Sequence, residues 1–279
     1  MRRLIAALLF LAGGVFASQT PAQGFDQSHA AWDALLRKHV VLIEGGKASR
    51  LRYADMAKDR PALKAYLDAL SKVGEAQFGG WSKAQQIAFL VNAYNAFMVE
   101  KVLTRYPDIR SVWDFGKLFG NPFKDEFFSL FGRRFTLDAI EHGTLRKPGL
   151  YDEPRVHYAL NCASAGCPML REEAYVADRL NSQLDEQTVR FLSDRSRNRY
   201  SDGNARLEVS EIFKWFREDW SNGYRGYDGQ SAPVTSREQF FARHAKLLSD
   251  NPDHQKIIAE GKAPIAHLDY DWSLNDARK

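Results

Sequence analysis

The chain holds two cysteines, Cys162 and Cys167, and they stand on either side of the small-residue spacer Ala163-Ser164-Ala165-Gly166. Four chemistries compete for that spacing. A tight loop can bring two Cα atoms within the roughly 4.4–6.8 Å that a disulfide needs, and an oxidising compartment would favour the bond. A zinc site would combine both cysteines with one upstream histidine, which makes three ligands at a spacing typical of no structural zinc class. Buried thiols can also be inert core residues. The fourth reading is a nucleophile, which must be a thiolate, and thiolates are stabilised at helix N-termini and beside an imidazolium. Pro168 suits the first position of a helix, which favours Cys167 by this argument. His142 and His157 are the histidines close in sequence. If Arg155 to Cys162 were one straight strand, His157 and Cys162 would lie about 16 Å apart. His157 can therefore serve Cys162 only if the chain turns sharply at Leu160 or Asn161, whereas His142 carries no such restriction.

Such a loop needs a scaffold, and the clearest element is a helix from Lys83 to Arg105, with Ser82 as its N-cap and Pro107 ending it. It is uncharged from Ala84 to Val99. A helix apolar all round is central to the core, so the amides of Asn92 and Asn95 must find partners there. They either tie loops to the core or orient a catalytic group. Apolar spacing predicts two earlier helices, Ser28 to Val40, with His39 on its apolar face, and Ala62 to Val73, with Pro61 before it. The Phe- and Gly-rich stretch from Phe115 to Phe135 reads as a loop or irregular hairpin able to wall a pocket.

Further on, Thr136 to Arg146 reads as a short helix carrying Glu141 and His142, and Arg155 to Leu160 as a strand leading into the cysteine loop. Helical stretches are expected at Arg171 to Ala177 and Gln183 to Ser193. Strands are expected at Ala205 to Val209 and Ile265 to Tyr270. Ser210 should cap an aromatic helix containing Ile212, Phe213, Trp215 and Phe216, and Thr235 or Ser236 should cap another, with Glu238 or Gln239 completing a capping box. Many helices with a few short, irregularly placed strands predict an α+β class, a mainly helical single domain with a small sheet, over residues 23–279.

The N-terminus reads as a secretory signal peptide over residues 1–22. Arg2 and Arg3 precede an uncharged run from Leu4 to Ala17, about 14 residues long and too short to span a bilayer. Small residues allow cleavage after Ala17 or Ala22, and Pro21 favours Ala22. No cysteine stands near the cleavage region to carry a lipid anchor. The mature chain is thus expected in the periplasm or secreted, with no later membrane span. Losing Arg2 and Arg3 takes the net charge from +4 to +2. Acidic and basic residues interleave, as in Lys58-Asp59-Arg60, so no basic face invites nucleic acid. No cofactor is implied.

Several motifs carry a resemblance. Ala88-Phe89-Leu90-Val91-Asn92-Ala93-Tyr94-Asn95-Ala96, Ile140-Glu141-His142, Arg155 through Cys162 to Cys167-Pro168, and Trp215-Phe216 with Asp219 resemble the successive motifs of domain of unknown function 547. Tyr270-Asp271-Trp272-Ser273-Leu274-Asn275 is similar to C-terminal segments of bacterial members. The resemblance runs from about Trp32 to the end, and implies a reduced papain-like cysteine-peptidase core using Cys, His and an acidic or amide partner. It implies Cys162 as nucleophile, His157 or His142 as base, and Glu141 or an asparagine, Asn92 or Asn95, as orienter. Plant relatives keep a cysteine matching Cys162 and can carry serine in place of Cys167, which sets the resemblance against the helix-terminus argument.

The function expected from these readings is an exported cysteine-dependent hydrolase of amide or ester bonds, with a peptide or small molecule as substrate. Backbone amides of Ala163 to Gly166 would stabilise the oxyanion. The alternative is a non-catalytic extracytoplasmic binding module with a Cys162–Cys167 disulfide and an aromatic groove of Phe115, Phe119 and Phe123.

Overall fold

The architecture comes from a computed structural model that describes residues 24–116 and 120–278. The proposed signal segment and Phe119 lie outside the described residues. Helix α1 (Ala30–His39) buries Trp32, Leu35, Leu36 and His39 on one face, and the chain leaves it directly into a hairpin of β1 (Val40–Ile43) and β2 (Ala48–Leu51). His39 is fully buried, its Nε2 2.6 Å from Asp59 Oδ2. Two short helices, α2 (Tyr53–Met56) and α4 (Glu75–Gly79), flank α3 (Arg60–Ser71), which has Pro61 in its first turn and buries Leu63, Tyr66, Leu67 and Leu70.

Helix α5 (Lys83–Leu103) is the axis of the molecule. Ser82 caps it by accepting from the Gln85 N–H, and the Gln85 side chain returns the bond, a reciprocal capping box. Every residue from Ile87 to Val99 is buried, as an uncharged helix requires. The aromatic stretch beyond it contains the hairpin β3 (Phe128–Leu130) and β4 (Arg133–Phe135). Thr136 then caps α6 (Leu137–Ile140), which widens into a π turn over Glu141–Leu145.

Two expected elements are absent. Arg155 to Leu160 is a tight turn of 3-10 helix over Pro154–Tyr158, not a strand. Pro154 fixes φ at its start, and the Glu153 carboxylate both caps the Arg155 N–H at 3.1 Å and grips its guanidinium at 2.7 and 2.6 Å, so local bonding overrides β-propensity. Arg171 to Val176 is not helical either, and only Ala177 of that stretch enters a helical turn, the 3-10 turn Ala177–Arg179. The N–H groups that would build that helix are taken by distant side chains: Ala174 donates to Asp33 Oδ1, Tyr175 to Asn92 Oδ1 and Val176 to Gln183 Oε1. Consequently no helix follows Pro168, and the cysteine loop does not sit at a helix N-terminus.

Helix α7 (Leu180–Leu192) leads to a three-stranded sheet in the order β5 (Arg199–Ser201), β6 (Arg206–Ser210) and β7 (Ile265–Leu268). β5 and β6 are antiparallel, whereas β6 and β7 are parallel, with Val209 opposite His267. Between the last two strands lie α8 (Ile212–Trp215), α9 (Arg237–Arg243), α10 (Ala245–Leu248) and α11 (Pro252–Ala259). The Ser210 hydroxyl accepts from the Ile212 N–H at 3.4 Å, and Ser236 caps α9 while the Gln239 side chain takes the Thr235 N–H.

The fold is therefore α+β and mainly helical, with its sheets short and peripheral. Two apolar clusters divide the interior. The larger surrounds α5, and the smaller gathers Phe191, Leu207, Val209, Phe213, Trp220, Phe240 and Phe241 around the sheet. No described helix is long and apolar enough to cross a membrane.

Candidate active site

The segment entering Cys162 is fixed from the core outward. Asn95, buried in α5, donates through Nδ2 to Ala159 O at 2.9 Å and accepts the Asn161 N–H at 2.8 Å, so one amide holds both sides of the bend before the cysteine. Asn92 does the same for Tyr175, at 2.7 and 3.1 Å, farther along the chain. Asn161 closes the loop. Its Nδ2 donates to Pro168 O at 2.8 Å, and its Oδ1 accepts from the Ala163 N–H and from Asn275 Nδ2, both at 3.1 Å.

A strap of residues 270–276 clamps the loop from outside. The Ala165 N–H donates to Ser273 O and the Gly166 N–H to Asp271 O, each at 2.8 Å, and the Asn275 N–H returns to Ala163 O at 3.0 Å. Gly166 is needed for this approach, since a Cβ there would lie 2.9 Å from Asp271 N and 3.0 Å from its carbonyl oxygen. These bonds narrow one expectation. The amides of Ala163, Ala165 and Gly166 are committed within the fold, which leaves the Ser164 N–H, directed at the Cys162 sulfur, as the loop amide still placed to meet an oxyanion.

Both cysteines are free thiols. Cys162 Sγ lies 2.7 Å from Ser164 Oγ and 3.2 Å from Tyr270 Oη. Cys167 Sγ accepts the Cys162 N–H at 3.0 Å and lies 3.6 Å from Leu160 O. The two thiols are driven in opposite directions. Burial pushes Cys162 up, but the Cys167 thiol, the Ser164 and Tyr270 hydroxyls and the Ser164 N–H all favour its charged form, bringing it down to about 7. Burial pushes the Cys167 thiol well up, and the neighbouring Cys162 charge pushes it further.

Cys162 opens on a cavity of about 140 Å³ at the junction of the two apolar clusters, lined also by Tyr94, Glu141, His142 and His157. The 3-10 turn supplies the sharp bend that His157 needs to share a cavity with Cys162. His157 is stacked on Phe216, with ring centroids 4.2 Å apart, and its Nε2 lies 2.7 Å from Asp219 Oδ2. Asp219 also receives Arg146, at 2.6 and 3.2 Å. Burial raises Asp219, but the His157 and Arg146 hydrogen bonds outweigh it and hold the carboxyl at about 2. The remaining nitrogen of His157, Nδ1, faces Glu141 Oε1 at 3.9 Å. Burial lowers His157, against the pull of Asp219.

Glu141 opens the π turn and is pushed up to about 7, first by burial, with Arg146 opposing and the Cys162 charge reinforcing the rise. His142 is half exposed at the rim, with Nδ1 2.6 Å from Arg146 Nη1, and is lowered by burial and by that guanidinium. Of the expected site residues, Cys162, Cys167, His157, His142 and Glu141 thus meet at one cavity. Asn92 and Asn95 tie loops to the core, and Asn95 does so at the root of the site. Phe123 lines the cavity and Phe115 packs against Lys101 and Arg105, while Phe119, the third member of the expected groove, lies outside the described residues.

Sequence reasoning did not assign Asp219, Tyr270, Ser164 or Arg146 a role, although Asp219 and Tyr270 fall in the motifs that carried the resemblance. No group of three or more metal-ligating side chains assembles among the described residues.

The scaffold and site together define an α+β protein with a thiol, a carboxylate-backed imidazole and a second carboxyl around one cavity. Residues 78–192 match the model of the family described as Protein of unknown function, DUF547, which supports the resemblance read from the motifs. The matched segment includes α5, Glu141, His157 and both cysteines, while Asp219 and Tyr270 lie beyond it. Comparison with curated proteins returned no match, and comparison with solved structures returned none.

Proposed function

We propose that the protein is a thiol-dependent hydrolase of amide or ester bonds, with Cys162 as nucleophile, acting outside the cytoplasm on a peptide or small molecule. The observation that carries this reading is the pair of hydroxyls, Ser164 at 2.7 Å and Tyr270 at 3.2 Å, holding the Cys162 sulfur on the wall of the cavity that also receives His157 with its Asp219 partner. Two groups in that cavity titrate near neutrality from opposite starting points, a thiol lowered and a carboxyl raised, which is the pattern of paired nucleophile and acid.

The Cys162 thiolate attacks the substrate carbonyl carbon, and negative charge moves from sulfur to the carbonyl oxygen. The Ser164 and Tyr270 hydroxyls and the Ser164 N–H, which stabilise the charge on sulfur, follow it to the oxyanion. Protonated Glu141 gives its proton to the leaving amine or alcohol. In deacylation the Glu141 carboxylate takes a proton from the attacking water, and Cys162 leaves as thiolate. Asp219 fixes the imidazole by holding Nε2–H, which leaves the Nδ1 lone pair facing Glu141 across 3.9 Å.

The test is iodoacetamide alkylation across pH, with the melting temperature and turnover of amide and ester panels for Cys162→Ser and Cys167→Ser. Cys162→Ser is expected to abolish turnover with little change in melting, and Cys167→Ser to keep a substantial part of it. Equal melting losses in both variants, with no alkylation of the native protein until reductant is added, would leave a disulfide-bridged binding module instead. The export reading predicts a mature N-terminus at Gln23, and an intact Met1 on extracytoplasmic material would overturn it.

A further inference from the structure

The hydrolytic scheme uses Cys167 only as a neighbour that favours the Cys162 thiolate and gives its own sulfur no covalent part, although that sulfur is the acceptor for the Cys162 N–H at 3.0 Å and both thiols are free. We infer that Cys162 is a site of reversible oxidation by hydroperoxides and that Cys167 is its resolving thiol.

Three features support this. The loop geometry is fixed: Asn161 bridges from Cys162's own neighbour Ala163 to Pro168, beside Cys167, the Cys167 sulfur lies 3.0 Å from the Cys162 N, and both cysteines line the same cavity. The Cys162 sulfur is ready for oxidation, being partly exposed at a cavity, hydrogen-bonded by two hydroxyls and lowered toward neutrality. Cys167, by contrast, is buried and protonated while Cys162 is charged, and so is protected from direct attack.

The steps balance without any bound cofactor. The Cys162 thiolate attacks one oxygen of hydrogen peroxide; the S–O bond forms, the O–O bond breaks, and hydroxide leaves and takes up a proton to become water. Cys162 is then a neutral sulfenic acid. Its lost charge was one of the influences, after burial, that kept Cys167 protonated, so ionisation of Cys167 becomes easier at the moment it is needed. The Cys167 thiolate attacks the Cys162 sulfur, the S–S bond forms, the S–O bond breaks, and the departing hydroxide takes up the Cys167 proton as a second water. Two thiols have been oxidised and one peroxide reduced. The resulting disulfide removes the nucleophile and is reversed by a dithiol. This chemistry needs the Cys162 thiolate but no hydrolytic substrate, so its test is independent of turnover.

The experiment exposes the fully reduced protein, Cys162→Ser and Cys167→Ser to stoichiometric hydrogen peroxide in the presence of dimedone, with intact mass and peptide mapping as readout. Wild type is expected to become lighter by two hydrogen atoms, with Cys162 joined to Cys167, and to regain its mass with dithiothreitol. Cys167→Ser is expected to carry about tenfold more dimedone adduct on Cys162 than wild type. In Cys162→Ser, Cys167 is expected to stay reduced. Far-UV circular dichroism checks each fold, and Cys167→Ala replaces Cys167→Ser if the hydroxyl is not tolerated. Dimedone adduct on wild type equal to that on the Cys167 variant would overturn the inference. So would oxidation of Cys167 in Cys162→Ser at the wild-type rate, or a wild-type protein left unoxidised.

Discussion

Two buried acids illustrate how much the neighbours of a group decide. Glu141 and Asp219 both approach His157, yet one is raised to about 7 and the other held at about 2, because Asp219 receives direct hydrogen bonds from an imidazole and a guanidinium while Glu141 stands off at 3.9 Å. The raised group has a consequence for stability. Its folded value lies above its unfolded one, so its contribution is intact below about 4.5 and is lost as pH rises through about 7. Glu141→Gln is therefore expected to melt higher than wild type at pH 8, by about 3 kcal/mol of stability, and to lose that advantage at pH 4, while turnover collapses at both. Equal pH profiles for the two proteins would show that Glu141 ionises as readily in the folded chain as in the unfolded one. Tyr270→Phe removes one of the two hydroxyls on sulfur and is expected to move the alkylation midpoint of Cys162 upward by about one pH unit. An unmoved midpoint would assign the lowering to Ser164 and Cys167 alone. Cys162, His157 and His142 were legible in the sequence as site candidates because thiols and imidazoles near the small-residue loop are few, and Glu141 only because the motifs resemble a known family. Asp219 and Tyr270 were not, because their parts depend on which residues the fold brings beside them, 62 and 108 positions away.

At the scale of elements, α5 was read nearly to its ends, since an uncharged run with a capping box leaves little choice of conformation. Its two asparagines have equal burial and similar bonding but different neighbours, which makes them a matched pair. Replacing either by Ala strands a backbone N–H and a carbonyl, for about 2–4 kcal/mol of destabilisation in each case. Only Asn95→Ala is expected to slow Cys162 alkylation, because only Asn95 holds Asn161 and Ala159. A similar slowing in Asn92→Ala would mean that the loop depends on global stability and not on this anchor. The two misread elements, Arg155 to Leu160 and Arg171 to Ala177, share one cause. Their backbones are bound by side chains, Glu153 in the first and Asp33, Asn92 and Gln183 in the second, and periodicity carries no record of such partners. The first misreading had placed His157 out of reach of Cys162, and the second had supplied Cys167 with a helix terminus it does not have.

Across the whole molecule, the site is assembled from both apolar clusters and closed by the strap. β7 stops at Leu268, shorter than its β-rich sequence suggests, and the chain is thereby released to carry Tyr270 to the sulfur and Asp271 to Gly166. Gly166→Ala tests that closure. A Cβ colliding with the Asp271 backbone must push the strap away, so melting is expected to fall by about 1–3 kcal/mol and the alkylation midpoint of Cys162 to rise together with it. A fall in melting with an unchanged midpoint would show that Tyr270 keeps its place when the strap shifts. The strap also ties β2, where the Leu51 N–H donates to Asn275 O and the Ala277 N–H to Leu51 O, so the same few residues join the first hairpin to the cysteine loop.

Because the sulfur and the Tyr270 hydroxyl are 108 residues apart, the order of synthesis matters. A ribosome releases Cys162 well before Tyr270, and during that interval the thiol lacks a partner that helps it ionise. A growing or still unfolded chain therefore carries a duller nucleophile than the finished one, and reactivity arrives with the last stretch to dock. Folding itself becomes the safety catch on the chemistry.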